Sequence, residues 1–508
     1  MLPLKTFLTS ATLLYVVSAA STLFEKGTIV AFDVTTESLN IIRNGSVLVE
    51  DDRITAVVSG LYNGTLPNDT DIIDVKGDIV STGMVDTHRH LWQSAYKTIA
   101  SNISLVEYMF RMSPVSQARD IFSPEDIYIG EKVGIYEALN GGTTTIVDHA
   151  HAQWSTNHSD AALQAAVDSG GRVYWSYAFV DYADLGEGTL SFEEQVALYR
   201  RHEARNIQRG SPTSLAIAYD SFYPGNMEQT RAVLELATEY NVSLISAHSG
   251  LQLWGFDSLP KDVHSFGFLN QSIPVIFAHA SHLSATDASL LRQYNHYVSI
   301  TPESEMHFGH DHPDSHLIQD QSSLGVDAAW TFSGDILTQA RLWLQVTRRT
   351  LYREIINRWH VPTTNPMSVN QAFLLATRNG GLALRRPDIG ILAVGAKADL
   401  VVWSGTSPSM LGWDDPVAAI ILHASVGDVK HVMVDGIIKK RDYMIVDEGY
   451  EKLKQRFLIS ARKIQTFFKE LPATVYDEVH FNGFSYGKTL QTDVFRGEGT
   501  GYGSQLTS

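Results

Sequence analysis

A chain of 508 residues, 44% of them hydrophobic, is long enough for two or three domains and needs no disulfide staples to fold. Its 39 basic and 56 acidic residues leave a formal charge of −17, a surface that repels phosphate backbones and anionic headgroups, so neither nucleic acid nor membrane is an expected partner. With no cysteine, thiolate nucleophiles and Cys-ligated zinc are excluded, and any metal must sit on His, Asp or Glu.

Residues 1–20 combine Lys5, an apolar run from Phe7 to Val17 and the small residues Ser18-Ala19-Ala20, the layout of a cleaved secretory signal too short to span a bilayer. Seven N-x-S/T sequons, at Asn44, Asn63, Asn68, Asn102, Asn157, Asn241 and Asn270, agree with passage through a glycosylating pathway. The expectation is a secreted, N-glycosylated protein.

Short β-strands are expected over 28–34, 46–49, 54–58 and 72–75, broken by Asn44-Gly45, Asp51-Asp52 and Asn63-Gly64. A second β-rich patch lies between Gly390 and Lys440, with strands over 399–403 and 431–434 and the turn Asp435-Gly436. Neither patch closes a core alone, which predicts one small β-sandwich from both ends of the chain, residues 21–80 plus 386–445.

Between them, in residues 81–385, apolar strands alternate with amphipathic helices. Eight strands are predicted, over 84–87, 143–148, 172–179, 214–219, 243–247, 274–278, 297–301 and 323–326. Helix starts are marked by Ser123-Pro124 and by the capping boxes Ser191-x-x-Glu194 and Ser368-x-x-Gln371, and stops by Gly141-Gly142 and Gly380-Gly381. Eight β/α units predict a (β/α)8 TIM barrel, with its chemistry at the C-terminal ends of the strands. In residues 446–508, the apolar spacing of Leu453, Phe457, Leu458, Ala461, Ile464, Phe467 and Phe468 predicts an amphipathic helix over 450–471, followed by a tail.

The strand ends are rich in polar side chains. Val85-Asp86-Thr87-His88-Arg89-His90 ends strand 1, and its two histidines at i and i+2 of an extended segment point to one side, where both can meet one cation. Asp148, His149 and His151 follow strand 2, Tyr219 and Asp220 strand 4, His248 strand 5, His279 strand 6, Glu303 and Glu305 strand 7, and Asp327 strand 8. Such a set converging on one barrel mouth points to metal-assisted chemistry.

With these motifs, together with Gly142–Asp148, Phe277-Ala278-His279, Leu324-Gly325-Val326-Asp327 and Ala396–Val402, the chain resembles the amidohydrolase superfamily. More narrowly it is similar to the branch that holds cytosine deaminase, guanine deaminase and the triazine chlorohydrolases, from about Gly27 to Asp442. The resemblance implies that His88, His90, His248 and Asp327 bind one divalent ion, Zn²⁺ or Fe²⁺, a ligand set that suits a hydrolytic site. It also implies that Asp327 takes a proton from the attacking water and passes it to the leaving group, while His279 hydrogen-bonds the water or the developing oxyanion. The strand 4 segment Ser214–Asp220 lacks the bridging lysine of two-metal relatives, which favours a mononuclear site, although Asp220 could reach a second ion.

Trp92, Gln93, His149 and His151 are expected to line the substrate pocket. One departure matters: the strand 5 histidine of the deaminases is followed three residues later by a proton-shuttling glutamate, and this chain has Leu251 there. Either Glu303 or Glu305, read as alternating on an extended segment and so facing alike, replaces it, with Glu305 favoured, or the substrate needs no such acid. The function expected is metal-dependent hydrolysis of a C–N bond, or of C–Cl or C–S, in a small cyclic molecule. Dehydration or isomerisation on the same scaffold, or non-catalytic binding, are the rival readings. The partner is a small molecule, and self-association is compatible with the sequence but not specified by it.

Overall fold

The structure is a computed structural model that describes residues 21–181, 188–250, 258–310 and 315–472, with 474, 476 and 484–489 of the tail. The segment read as a signal, and Leu251, lie outside the described residues.

Near the N-terminus, strands β1 (Thr22–Asp33), β2 (Ser38–Glu50), β3 (Arg53–Ser59), β4 (Asp71–Asp74) and β5 (Ile79–Thr82) pair with one another. After β5 the chain enters the barrel through β6 (Met84–Arg89), β7 (Thr143–Ala150), β8 (Arg172–Phe179) and β9 (Ser214–Tyr219). It continues through β10 (Ile245–Ser249), β11 (Val275–His279), β12 (Tyr297–Ile300) and β13 (Ser322–Leu324). The chain then returns to the first sheet with β14 (Leu400–Trp403), β15 (Val429–Val434), β16 (Ile437–Arg441) and β17 (Met444–Ile445).

The predicted union of both chain ends is a nine-stranded sheet, ordered β17-β16-β15-β14-β5-β1-β2-β3 with β4 on β1. The junction is β5 against β14, antiparallel, with Val80 opposite Val402. Its own core gathers Phe24, Ile29, Val47, Val49, Val80, Leu400 and Met433. Asn44-Gly45, expected as a break, lies inside β2. Asn44 takes a left-handed φ of 51° and the β1–β2 register shifts around Gly27, opposite Gly45, so the pair marks a bulge in a continuing strand.

The eight parallel strands β6 to β13 run in chain order, the predicted barrel. Closure between β13 and β6 is carried by few bonds: Thr87 Oγ1 donates to Leu324 O (2.9 Å), Asp327 N to His88 O (2.8 Å) and His90 N to Asp327 O (3.1 Å). The last two involve residues of the H-x-H and strand 8 motifs, so the barrel seam and the polar cluster are one structure.

Helices Pro124–Asn140, Phe192–Arg205 and Val369–Ala376 begin at the capping boxes of Ser123, Ser191 and Ser368. Gly380-Gly381, expected as a stop, instead lies within the helix Arg378–Ala383. A Cβ on Gly380 would stand 2.5 Å from the Val85 side chain, so glycine is there to let this helix press on β6. The C-terminal helix spans Tyr450–Glu470, as its periodicity predicts, and buries Leu453, Ile464 and Phe468. Its Gln465 donates to Ala95 O (3.0 Å), bracing the turn that follows the H-x-H strand.

Candidate metal centre

β6 delivers His88 and His90 to one side of the barrel mouth, β10 delivers His248, and the turn after β13 delivers Asp327. One side-chain ligand atom from each of the four lies within 4.8 Å of all the others. His90 Nε2 is 3.1 Å and His88 Nε2 3.5 Å from Asp327 Oδ1, and His90 Nε2 and His248 Nε2 face each other at 3.3 Å. Asp327 and His279 both take left-handed backbone, at φ 65° and 68°, a conformation held against its cost of order 1–2 kcal/mol by the surrounding fold.

The outer partners of these rings are fixed by the same strand ends. His90 Nδ1 donates to His149 O (2.9 Å), and His248 Nδ1 donates to Asp220 Oδ2 (2.9 Å), which directs both Nε2 atoms to the cluster. Asp220 also accepts from His248 N (2.7 Å), and Ser304 donates to Asp327 Oδ2. Asp86, fully buried, accepts from His88 N and Val326 N and pairs with Arg89, so it braces the seam.

Burial pushes the His88 ring well below its ordinary pKa. Burial alone would raise Asp327, but contacts with His88 and His90 outweigh it and hold the carboxyl well below the usual carboxylate range. For Asp220 too, burial alone would raise the carboxyl, but its interactions with His248 and His149 outweigh it and hold it well below the usual carboxylate range. Neither ring nitrogen of His88 has a hydrogen-bond partner, although the ring is fully buried. Three imidazoles and a carboxylate aimed at one point, with an orphaned buried ring among them, fit a divalent ion held by nitrogen and oxygen ligands. A second grouping, His149, Asp220 and His248, shares His248 with the first. Its Asp220 carboxylate is already engaged by the His248 ring and backbone, so it serves as an outer partner of the centre.

Above the cluster lies a cavity of about 870 Å³, counted with its open mouth, whose lining includes His90, His151, Asp220, His248, His279 and Asp327. His279 is held by Thr301 Oγ1 (2.9 Å) and Glu305 Oε1 (3.3 Å), both at Nδ1. His151 stacks on His90 with ring centroids 4.1 Å apart.

Several expectations need correction. Trp92 and Gln93 do not line the cavity. The segment Leu91–Tyr96 forms a 3-10 turn directed inward, packed so closely on the helix Pro124–Asn140 that a Cβ on Gly130 would meet Trp92 O at 2.5 Å. Trp92 Nε1 donates to His151 Nδ1 (2.9 Å), and Gln93 bonds two lining residues, Tyr108 and Trp330, from behind. His149 is likewise behind the lining, 3.4 Å from Asp220 through Nε2, with its pKa pushed by burial down to about 4.

Glu303 and Glu305 do not face alike, because Pro302–Phe308 is a helix and residues two apart on a helix diverge. Glu303 turns to Ser333 and Gln339, while Glu305 turns inward to Thr301 and His279. Neither carboxylate belongs to the cavity lining. Three lining residues, Tyr108, Trp330 and His310, have no motif around them. Only the excess of aromatic residues near the strand ends could have hinted at the first two.

The amidohydrolase family matches residues 79–438 of this chain. The chain is 24% identical over 414 residues, 79% of its length and 91% of the relative's, to a 5-methylthioadenosine/S-adenosylhomocysteine deaminase of Thermococcus kodakarensis. It is 24% identical over 428 residues, covering 81% and 92% of the two chains, to a 5'-deoxyadenosine deaminase of Methanobrevibacter smithii. Among solved structures, an atrazine chlorohydrolase of Arthrobacter aurescens complexed with zinc and atraton superposes with a TM-score of 0.74 at 19% identity, covering 87% of this chain and 100% of that one. A guanine deaminase of C. acetobutylicum with bound guanine gives 0.68 at 18% identity, covering 82% and 99%.

Proposed function

The chain belongs to the amidohydrolase family, and from that premise we propose that it is a metal-dependent hydrolase that breaks a C–N bond of a small, cyclic molecule. The observation that carries the reading is the convergence of His88, His90, His248 and Asp327, the last three of them lining an open-mouthed cavity. These four residues would hold one Zn²⁺ or Fe²⁺, which supplies Lewis-acid polarisation and an activated water nucleophile when bound. The deaminase relatives support cleavage of a C–N bond, and the chlorohydrolase structure complexed with zinc supports metal-dependent hydrolysis in general.

The roles of the chain's own residues follow from position. Asp327 is ionised and faces both H-x-H rings, so it accepts the proton of the attacking water and returns it to the leaving nitrogen. His279, with Nδ1 engaged by Thr301 and Glu305, presents Nε2 to the cavity it lines and hydrogen-bonds the developing oxyanion. Asp220 keeps the His248 ring oriented. Stripping the protein of metal should abolish turnover, and zinc should restore it at one ion per chain. Incorporation of labelled oxygen from water separates hydrolysis from dehydration or isomerisation, and two bound ions per chain would overturn the mononuclear reading.

We also propose that the protein is secreted and N-glycosylated. The layout of residues 1–20 supports this, as does the exposure of the asparagine in all seven sequons. Protein from a eukaryotic host should begin near Ala20 or Ser21 and lose mass on deglycosylation. An intact Met1 on an unglycosylated chain would contradict it.

A further inference from the structure

Asp148, near the end of β7, is fully buried and belongs neither to the four ligands nor to the cavity lining. Its Oδ1 accepts from the backbone N–H of Leu91 (3.0 Å), the residue that follows His90. The next residue of the strand, His149, accepts the His90 Nδ1 proton through its carbonyl. Two consecutive residues of β7 thus hold the backbone and the ring at the end of the H-x-H motif.

Behind Asp148 stands a second buried carboxyl. Glu131, on the helix Pro124–Asn140, is also fully buried, and that helix packs so closely on the Leu91–Tyr96 turn that a Cβ on Gly134 would meet Leu91 O at 2.8 Å. The Glu131 and Asp148 carboxyls lie within hydrogen-bond reach of each other. Among the described residues no N–H or O–H donor reaches Asp148 Oδ2 or either oxygen of Glu131. The charges around the pair are engaged elsewhere. Arg89 pairs with Asp86, while Asp168, Arg456 and Lys463 on the neighbouring helices meet Tyr128, Glu125 and Asp126. Tyr96, on the turn, donates its hydroxyl to Met112 O (3.2 Å). The His90 ring and the Arg89 guanidinium act on Asp148 by charge, and both favour its ionised form. Among the described residues, the one ionisable group that acts on Glu131 is Asp148.

Two ionised carboxylates in contact, with neither solvent nor a cation between them, repel each other, whereas one shared proton satisfies an oxygen of each. Burial, reinforced by the Asp148 charge, pushes the Glu131 carboxyl well above the usual carboxylate range. Asp148 is raised by the same burial, but the hydrogen bonds from Glu131 and from Leu91 N oppose it, so the proton belongs to Glu131.

We infer that Glu131 is a positioning residue of the metal centre: as a neutral carboxyl it donates to Asp148, which fixes the Leu91 backbone and with it the His90 end of the ligand set. The shared proton rests on the buried pair alone, and the positioning rests on the metal-dependent reading. One proton thereby becomes part of the fold. Above the ordinary glutamate value of about 4.3 and up to the folded value, the folded chain holds a proton that the unfolded chain has released, so stability falls as pH rises.

The test compares the full chain with its Glu131→Gln and Glu131→Leu variants. Glutamine keeps a donor for Asp148 but has no proton to release. In urea unfolding at pH 6, 7 and 8, the folding equilibrium constant of the parent should fall about 10-fold per pH unit relative to that of Glu131→Gln. Zinc titration against a competing chelator at pH 7 reads the positioning. Glu131→Leu, which gives Asp148 no donor, should bind zinc ~10-fold more weakly, and Glu131→Gln should return to the parent's affinity, as loss and replacement of a partner behind a ligand do. Parallel pH profiles of the parent and Glu131→Gln would show that no proton is held between the two carboxyls. Parental zinc affinity in Glu131→Leu, or an equal loss in both variants, would show that the pair does not position His90. Should Glu131→Leu fail to fold, the pH comparison of the parent with Glu131→Gln still decides the inference. A parent that binds no zinc overturns the metal reading and the positioning with it, while the pH comparison still decides the shared proton.

Discussion

Side-chain direction decides most of the chemistry of this centre, and the two strand 7 carboxylates show it best. Read as extended, Glu303 and Glu305 are equivalent; on the helix Pro302–Phe308 they point to opposite duties. Glu305 holds Nδ1 of His279, while Glu303 accepts from the backbone and hydroxyl of Ser333 and from Gln339. Glu305→Gln should therefore lower turnover by roughly 10–100-fold at unchanged zinc content, as loss of a partner that orients a reacting histidine does, and Glu303→Gln should stay within about 2-fold. Equal losses in both variants would show that the helix does not separate their roles. That His88, His90, His248 and Asp327 come together was legible because H-x-H is a local spacing on a strand and the other two sit at strand ends. Their outer partners were less so, since nothing local tells that Asp220 meets His248 or that Gln93 turns away from the cavity. His88→Ala should leave the chain unable to retain zinc through gel filtration, as the fully buried ring is at the centre of the ligand set. A one-to-one zinc content in that variant would exclude His88 from it.

Between elements, a buried cation ties the barrel to the sheet. Arg172, at the start of β8, donates to Asp399 just before β14 and to Asp435 after β15, and is 3% exposed. Removing Arg172 leaves the buried Asp399 without its cation, while Asp435 keeps Lys397 (2.9 Å), and breaking a buried pair costs about 3–5 kcal/mol. Arg172→Ala should thus shift the urea midpoint sharply downward while the folded fraction still binds zinc, because the cluster lies at the opposite ends of the strands. A midpoint within error of the parent would mean that the joint does not depend on this ion pair. At this scale, periodicity and capping were sufficient to place the eight barrel strands and the C-terminal helix. Glycine-containing turn signals misled twice, at Asn44-Gly45 and Gly380-Gly381, since a glycine that permits close approach is spelled the same way as one that ends an element.

For the molecule as a whole, buried histidines remote from the metal centre should contribute to the response to acid. His296 accepts from Val275 N at Nδ1 (3.0 Å) and donates to Leu269 O from Nε2 (2.8 Å), a pattern that only the neutral ring can make. His202 meets the Ser159 hydroxyl through Nε2 (2.8 Å) beneath Trp175. Burial pushes each ring from its ordinary value near 6.5 down to about 4. The sign follows from proton counting. Above pH 6.5 both states are neutral at these rings and neither contributes to any pH dependence. Between pH 6.5 and 4 the unfolded chain takes up a proton at each that the folded chain refuses, so stability falls as pH falls. Over the whole window the loss is roughly 3 kcal/mol per ring, and about 2 kcal/mol of it accrues between pH 7 and 5, before ordinary carboxylates titrate. The zinc-loaded parent and a His202→Gln/His296→Gln variant should be compared by urea unfolding at pH 7, 6 and 5. The variant starts less stable but should lose about 4 kcal/mol less across that range. Parallel pH profiles for the two proteins would show that these rings already carry protons in the folded state, and that acid sensitivity arises at the metal centre instead.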